Sequence, residues 1–200
     1  TEALARDARQ RQPTALPIGP TREIATTGAR TDLPVGETTA LGLDGADGWG
    51  TWRPELETLT QRLRTAIGDR RLPLGASHGD WTPWNMAWSG DLLEVWDWER
   101  YATDLPQGFD VVHFAASSVR AHEPGDAEQR FLRRLPGLLA DCGVDAGLTS
   151  PVLALYLLTA ARRYAADLTI VPAPLVATRL DWVLRLLRSE TDRLERGAVA

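Results

Sequence analysis

One stretch of the chain reads as a β-hairpin. Met86–Ser89 and residues 92–98 are short β-prone runs, and the Gly90-Asp91 pair between them is a tight-turn signal. Beyond Gly108 the pattern is helical throughout. Phe109, Val112, His113 and Ala116 share one face, and Ala127, Phe131, Leu135 and Leu138 another, with a kink expected at Pro136. The run 150–168 is mostly apolar and opens at Ser150-Pro151, while Val176, Leu180, Val183, Leu184 and Leu187 stripe a last helix to about residue 196. Leu56, Leu59, Leu63, Ala66 and Ile67 predict an amphipathic helix over 54–68, ending near Gly68. Such a pattern cannot supply an extended sheet. The expected class is α+β, mostly α-helical, with helices packed around one small hairpin.

Composition sets the outer bounds. Two hundred residues, 44% hydrophobic and 24% charged, are enough for one domain with its own core. The longest clean apolar run, 152–161, is far shorter than the ~20 residues of a bilayer span, and no apolar leader opens the chain, so no membrane partner is expected. A net charge of −5 argues against nucleic acid, whose binding rests on basic surface. One cysteine, Cys142, excludes an internal disulfide and a multi-cysteine zinc site, and points to a cytoplasmic setting. All 22 basic residues are arginine, so no lysine can act as Schiff base or phosphate anchor. Residues 1–52 lack sustained periodicity and are broken by Pro13, Pro17, Pro20 and Pro34; they read as an irregular lead-in to a lobe over 53–200.

The polar residues gather where a core would avoid them. His78, Asp80, Asn85, Asp97 and Glu99 fall within 22 residues, amid five of the eight tryptophans. Pro83 makes 78–85 a loop, and the hairpin that follows should return Asp97 to the side of Asn85. An amide oxygen and a carboxylate are hard ligands of the kind Mg²⁺ takes when phosphates complete its shell. Asp80, offset from them, is placed to accept a hydrogen bond from an incoming hydroxyl. These are the parts of a phosphoryl-transfer site.

The string His78-Gly79-Asp80-Trp81-Thr82-Pro83-Trp84-Asn85 keeps the Asp-to-Asn interval of the protein-kinase catalytic loop. With H-G-D, and with proline three after the aspartate, it resembles the aminoglycoside phosphotransferase and choline kinase branch of the protein-kinase-like fold. Asp97-Trp98-Glu99 is similar to that branch's D-[FW]-E string, and Gly108-Phe109-Asp110 to its G-x-D helix start. The resemblance covers roughly 54–196 and implies the C-terminal lobe of such a fold. It implies Asp80 as catalytic base, Asn85 and Asp97 as Mg²⁺ ligands, and His78 and Asp110 as structural supports. Glu99 would contact metal or acceptor, and ATP would be the co-substrate for a small hydroxyl-bearing acceptor. The acceptor stays open between aminoglycoside, choline, sugar, nucleoside and a homoserine-like alcohol.

The same resemblance asks for an N-terminal lobe with a small sheet and a phosphate-anchoring lysine. No stretch here reads as either, and residues 45–50 are glycine-rich without leading into a strand. The expectation is a fragment that begins at Thr1 and lacks its ATP lid, nearly inactive alone, with the missing lobe of the parent protein as partner. The alternative is a catalytically inactive kinase-like module that binds a ligand or partner. A metal-dependent phosphohydrolase would need more carboxylates or histidines than the block supplies.

Plainer roles compete at single positions. Asp80 can be a turn residue, Asn85 a turn cap, and Asp97 a partner of Arg100. The tryptophans read first as packing, with Trp81 and Trp84 the candidates for substrate contact because they flank the base. His113 reads as a satisfied core histidine, His122 and Cys142 as incidental, and the arginine-rich stretches 130–134 and 179–196 as solvated helix faces.

Overall fold

The computed structural model describes Leu33–Pro34 and residues 49–198. Among these, helices dominate and the strands form three two-stranded antiparallel ribbons, an α+β architecture. Most of the 1–52 lead-in, including residues 45–48 of the glycine-rich run, lies outside the described residues.

Helix α1, Arg53–Ile67, follows a short 3-10 turn at Gly50–Trp52 and buries the expected stripe of Leu56, Leu59, Leu63, Ala66 and Ile67. Pro54 sits in its first turn, where no backbone donor is lost, and Gly68 ends it at φ 58°. Strand β1, Leu33–Pro34, pairs with β2, Arg71–Leu72. Strand β3, Leu74–Ser77, then leads into the polar block. The predicted hairpin forms from β4, Met86–Ser89, and β5, Leu92–Val95, in register Met86↔Val95 through Ser89↔Leu92. The second run stops sooner than its composition predicts: Trp98–Arg100 is a 3-10 turn, entered through Asp97 in the left-handed region. Strand β6, Ala102–Pro106, pairs with β3, with the register slipping between Gly75 and Ser77.

The remaining helices are α2 (Phe109–Ser117), α3 (Gly125–Asp141), α4 (Thr149–Ile170) and α5 (Pro174–Ala198). α3 runs on through Pro136. The first three turns of α4 are buried on every side, which makes it the axis of the core. Leu153, Leu155, Leu157 and Leu158 from this helix meet Leu180, Val183, Leu184 and Leu187 from α5 in one apolar cluster with the stripe of α1. Each fully buried leucine contributes ~1.5–3 kcal/mol against exposure. Arg62 of α1 clamps Asp192 and Glu195 of α5 across the outside. Arg179 of α5 donates to the carbonyls of Ala116 and Val119, tying α5 to the end of α2.

The tryptophans depart from the packing role. Trp84, Trp88, Trp96 and Trp98 are 56%, 39%, 43% and 50% exposed, while Trp49 and Trp182 are buried. A two-stranded ribbon has two faces and too little width to cover either one, so its aromatic side chains stay in solvent. Met86 is the ribbon's buried contribution to the interior.

Candidate active site

The polar loop is suspended between the β3–β6 ribbon and the first turn of α2. Gly108 precedes that helix at φ 96°, and an added Cβ there would lie 2.5 Å from Leu139 Cδ2, so glycine is required. The helix start puts the Asp110 carboxylate under the loop. Oδ1 accepts from Ser77 Oγ at 2.8 Å and from the Gly79 amide at 3.0 Å; Oδ2 accepts from the His78 amide at 2.7 Å. Three consecutive residues are thereby held by one side chain. Gly79 is also confined: its φ is 82°, and a Cβ would sit 2.4 Å from the Arg100 carbonyl oxygen.

His78 is buried and uses both ring nitrogens. Nδ1 accepts from the Asp80 amide at 3.3 Å, which assigns the proton to Nε2, and Nε2 donates to the Trp96 carbonyl at 2.9 Å. The Trp96 amide donates in turn to the Asn85 carbonyl at 3.1 Å, extending the hairpin ladder by one residue. Both backbone polar groups of Trp96 are therefore fixed by the loop. Asp97 follows immediately, so its position is determined by the same bonds. At φ 67° it is the one non-glycine residue with positive φ among those described, and its carboxylate is exposed. Aspartate tolerates this conformation better than most residues.

Asp80 lies at the centre. Its Oδ1 accepts from His113 Nε2 at 3.0 Å, and its Oδ2 from Asn85 Nδ2 at 2.8 Å; Asn85 Nδ2 also reaches the Asp80 carbonyl at 3.0 Å. The Asn85 amide oxygen has no hydrogen-bond partner among the described residues. The bond from His113 holds the Asp80 carboxyl below its ordinary value, with smaller help from the charge of Arg163 and the bond from Asn85. Burial holds His113 below its ordinary value in spite of the carboxylate beside it, so the imidazole is neutral near pH 7. Its Nδ1 accepts from the Tyr156 hydroxyl at 2.8 Å, and burial pushes that phenol up, so it keeps the proton it donates. The resulting chain, Tyr156 to His113 to Asp80, is satisfied with one charge, and that charge is on Asp80.

His113 was legible only as a core histidine, and it is one. Its second partner is what residue-by-residue reading missed. Asp110 and His113 are three apart on α2 and share a face, so a helix whose Asp110 touches residues 77–79 must present His113 to residue 80.

The other sequence candidates are near the loop with looser attachments. Trp81 meets His78 edge-on at 5.7 Å between ring centroids, and Trp98 lies tilted at 4.6 Å from the same ring. Trp84 is exposed. Glu99 is exposed and 3.6 Å from Arg100 Nε, so Arg100 takes Glu99 as its ion-pair partner in place of Asp97.

Among the described residues no group of three or more His, Cys, Asp or Glu side chains could hold a metal ion. A closed protein cage is therefore absent from this region. The free amide oxygen of Asn85 and the exposed carboxylate of Asp97 are oxygen donors of the kind Mg²⁺ takes when phosphate and water complete its shell. No protein-family model matches the chain, nor does any curated protein or solved structure.

Proposed function

We propose that the chain carries the catalytic lobe of a kinase-like small-molecule phosphotransferase, moving the γ-phosphoryl group of ATP to a hydroxyl of a small acceptor. One observation carries this reading: a single network ties an ionised Asp80, an Asn85 with its amide oxygen free, and the backbone that fixes Asp97. Asp80 accepts the hydrogen bond of the acceptor hydroxyl and aligns its oxygen for attack. Each carboxylate oxygen spends one lone pair on His113 or Asn85 and keeps another for substrate. Asn85 and Asp97 would hold Mg²⁺. When bound, that ion neutralises charge on the β- and γ-phosphates. Asp110 and His78 keep the loop and the end of the hairpin in register, which supplies the positioning on which phosphoryl transfer depends.

The ATP-covering lobe and its phosphate-anchoring cation belong to the same proposal, as a partner encoded with this lobe. The test is ATP consumption, with Mg²⁺, by the protein expressed from its whole reading frame against a library of aminoglycosides, amino alcohols, sugars and nucleosides. Acceptor-dependent ADP release that disappears in Asp80→Asn supports the reading. ATP binding without acceptor-dependent release across the library favours the rival, a module that binds without turnover. The absence of lysine gives that rival its support.

A further inference from the structure

Behind the catalytic loop lies a cavity of about 160 Å³. One stripe of α4, Tyr156, Thr159, Ala160 and Arg163, forms a wall, since these positions share a helix face. Leu105 and Phe109 add apolar lining, and Arg100 also lines the space. Asp80, Asn85 and Asp97 are not among the lining residues.

The polar groups around this space are mostly spent on one another. Both oxygens of Asp110 are taken by the loop, both nitrogens of His113 by Tyr156 and Asp80, and the Thr159 hydroxyl donates to the Leu155 carbonyl. Arg163 is less committed. It stacks over the Tyr164 ring at 5.0 Å, no carboxylate lies within ion-pair distance of it among the described residues, and its hydrogen bonds are long: 3.4 Å to the Gly79 carbonyl and 3.3 Å to the Tyr164 hydroxyl. The second cation of the lining, Arg100, has as its ion-pair contact among the described residues the 3.6 Å approach to Glu99. A guanidinium is a planar fork that pairs best with a planar oxyanion, and Arg163 is one of the residues lining this largely apolar space. The volume corresponds to about five waters at ~30 Å³ each, enough for a few heavy atoms.

We infer that this cavity is a binding site for a short-chain carboxylate, its head group on Arg163 and its alkyl tail against Leu105 and Phe109. The inference goes beyond the phosphotransferase reading and does not need it.

The test is titration of the 200-residue chain with propionate and, separately, inorganic phosphate at constant ionic strength, followed by amide shifts of Gly79 and Thr159. No nucleotide or acceptor is present, so a negative result here leaves the phosphotransferase reading untouched, and the reverse. Saturable propionate binding, with phosphate weaker by about tenfold or more, is expected. Arg163→Gln should weaken propionate by about tenfold. Thr159→Leu fills the space while keeping both guanidiniums and the fold, and should weaken it comparably. No saturation up to about 50 mM propionate, a preference for phosphate, or unchanged binding in a folded Thr159→Leu protein would overturn the assignment.

Discussion

Asp80 and His113 face each other at 3.0 Å, a carboxylate oxygen against a ring N–H, with Tyr156 holding the far side of the ring. This arrangement fixes the orientation of Asp80 without a second charge and so leaves the carboxylate ionised. In the proposed reaction such a carboxylate aligns a hydroxyl more than it removes the proton beforehand. Under the proposed function, Asp80→Asn in the protein expressed from its whole reading frame should lower turnover by about 10²–10⁴-fold and leave nucleotide affinity near wild type. Steady-state assays together with calorimetric ATP titration check both halves.

The pair also sets a pH dependence of stability. His113 is held below its ordinary 6.5 by burial, so the unfolded chain binds its proton first as the pH falls. Its contribution to stability is complete above pH 6.5 and declines below that as the pH approaches its folded value. Asp80, also depressed, adds a second loss below its ordinary 3.8. Urea unfolding of wild type and His113→Gln between pH 5 and 8 should show wild type losing stability on the acid side with a steeper slope than the variant. Parallel slopes would remove His113 as the titrating group.

Asp110 answers three donors, two of them backbone amides. Asp110→Ala should cost about 2–3 kcal/mol, because the His78 and Gly79 amides and the Ser77 hydroxyl lose a charged acceptor together. Asp110→Asn keeps the shape and should recover part of that. Urea unfolding of the three proteins reads the difference.

Gly79→Ala tests a different constraint. The residue combines a φ of 82° with a wall of backbone 2.4 Å from the missing Cβ, and the obstructing atom is the Arg100 carbonyl oxygen, which has no rotamer to escape into. Conformational strain alone is ~1–3 kcal/mol, and the clash adds to it. A fall in Tm is expected, accompanied by shifts in the His78 and Asp80 amide resonances.

At Asp97 the charge and the backbone can be separated. Asp97→Asn tolerates positive φ and should leave Tm unchanged, while Asp97→Ala should lose about 1–2 kcal/mol to left-handed strain. Both should weaken Mn²⁺ uptake in the presence of ATP, measured by electron paramagnetic resonance. Equal Mn²⁺ affinity in Asp97→Asn would remove this residue from the proposed metal site.

What the sequence made legible depended on the range of the interaction. Helix faces, the Gly68 stop and the β4–β5 hairpin are local, and periodicity or a turn dipeptide announces them. The β3–β6 ribbon was not announced: its strands are four and five residues long, carry Gly75 and Pro106, and pair across an intervening hairpin. The 92–98 run was over-extended for the opposite reason, since β-prone Trp96 and Trp98 continue past the point where Asp97 turns the backbone left-handed. Within the site, Asp80 and Asn85 could be joined from their spacing. The link from Asp80 to His113 spans 33 residues and needs the docking of α2, which no local pattern encodes.

Trp96 illustrates how this loop keeps its shape. The grip is on its peptide groups, from the Asn85 carbonyl on one side and the His78 ring on the other, while the indole projects into water. Evolution can therefore rewrite what position 96 displays to a visiting molecule without disturbing where the neighbouring carboxylate stands.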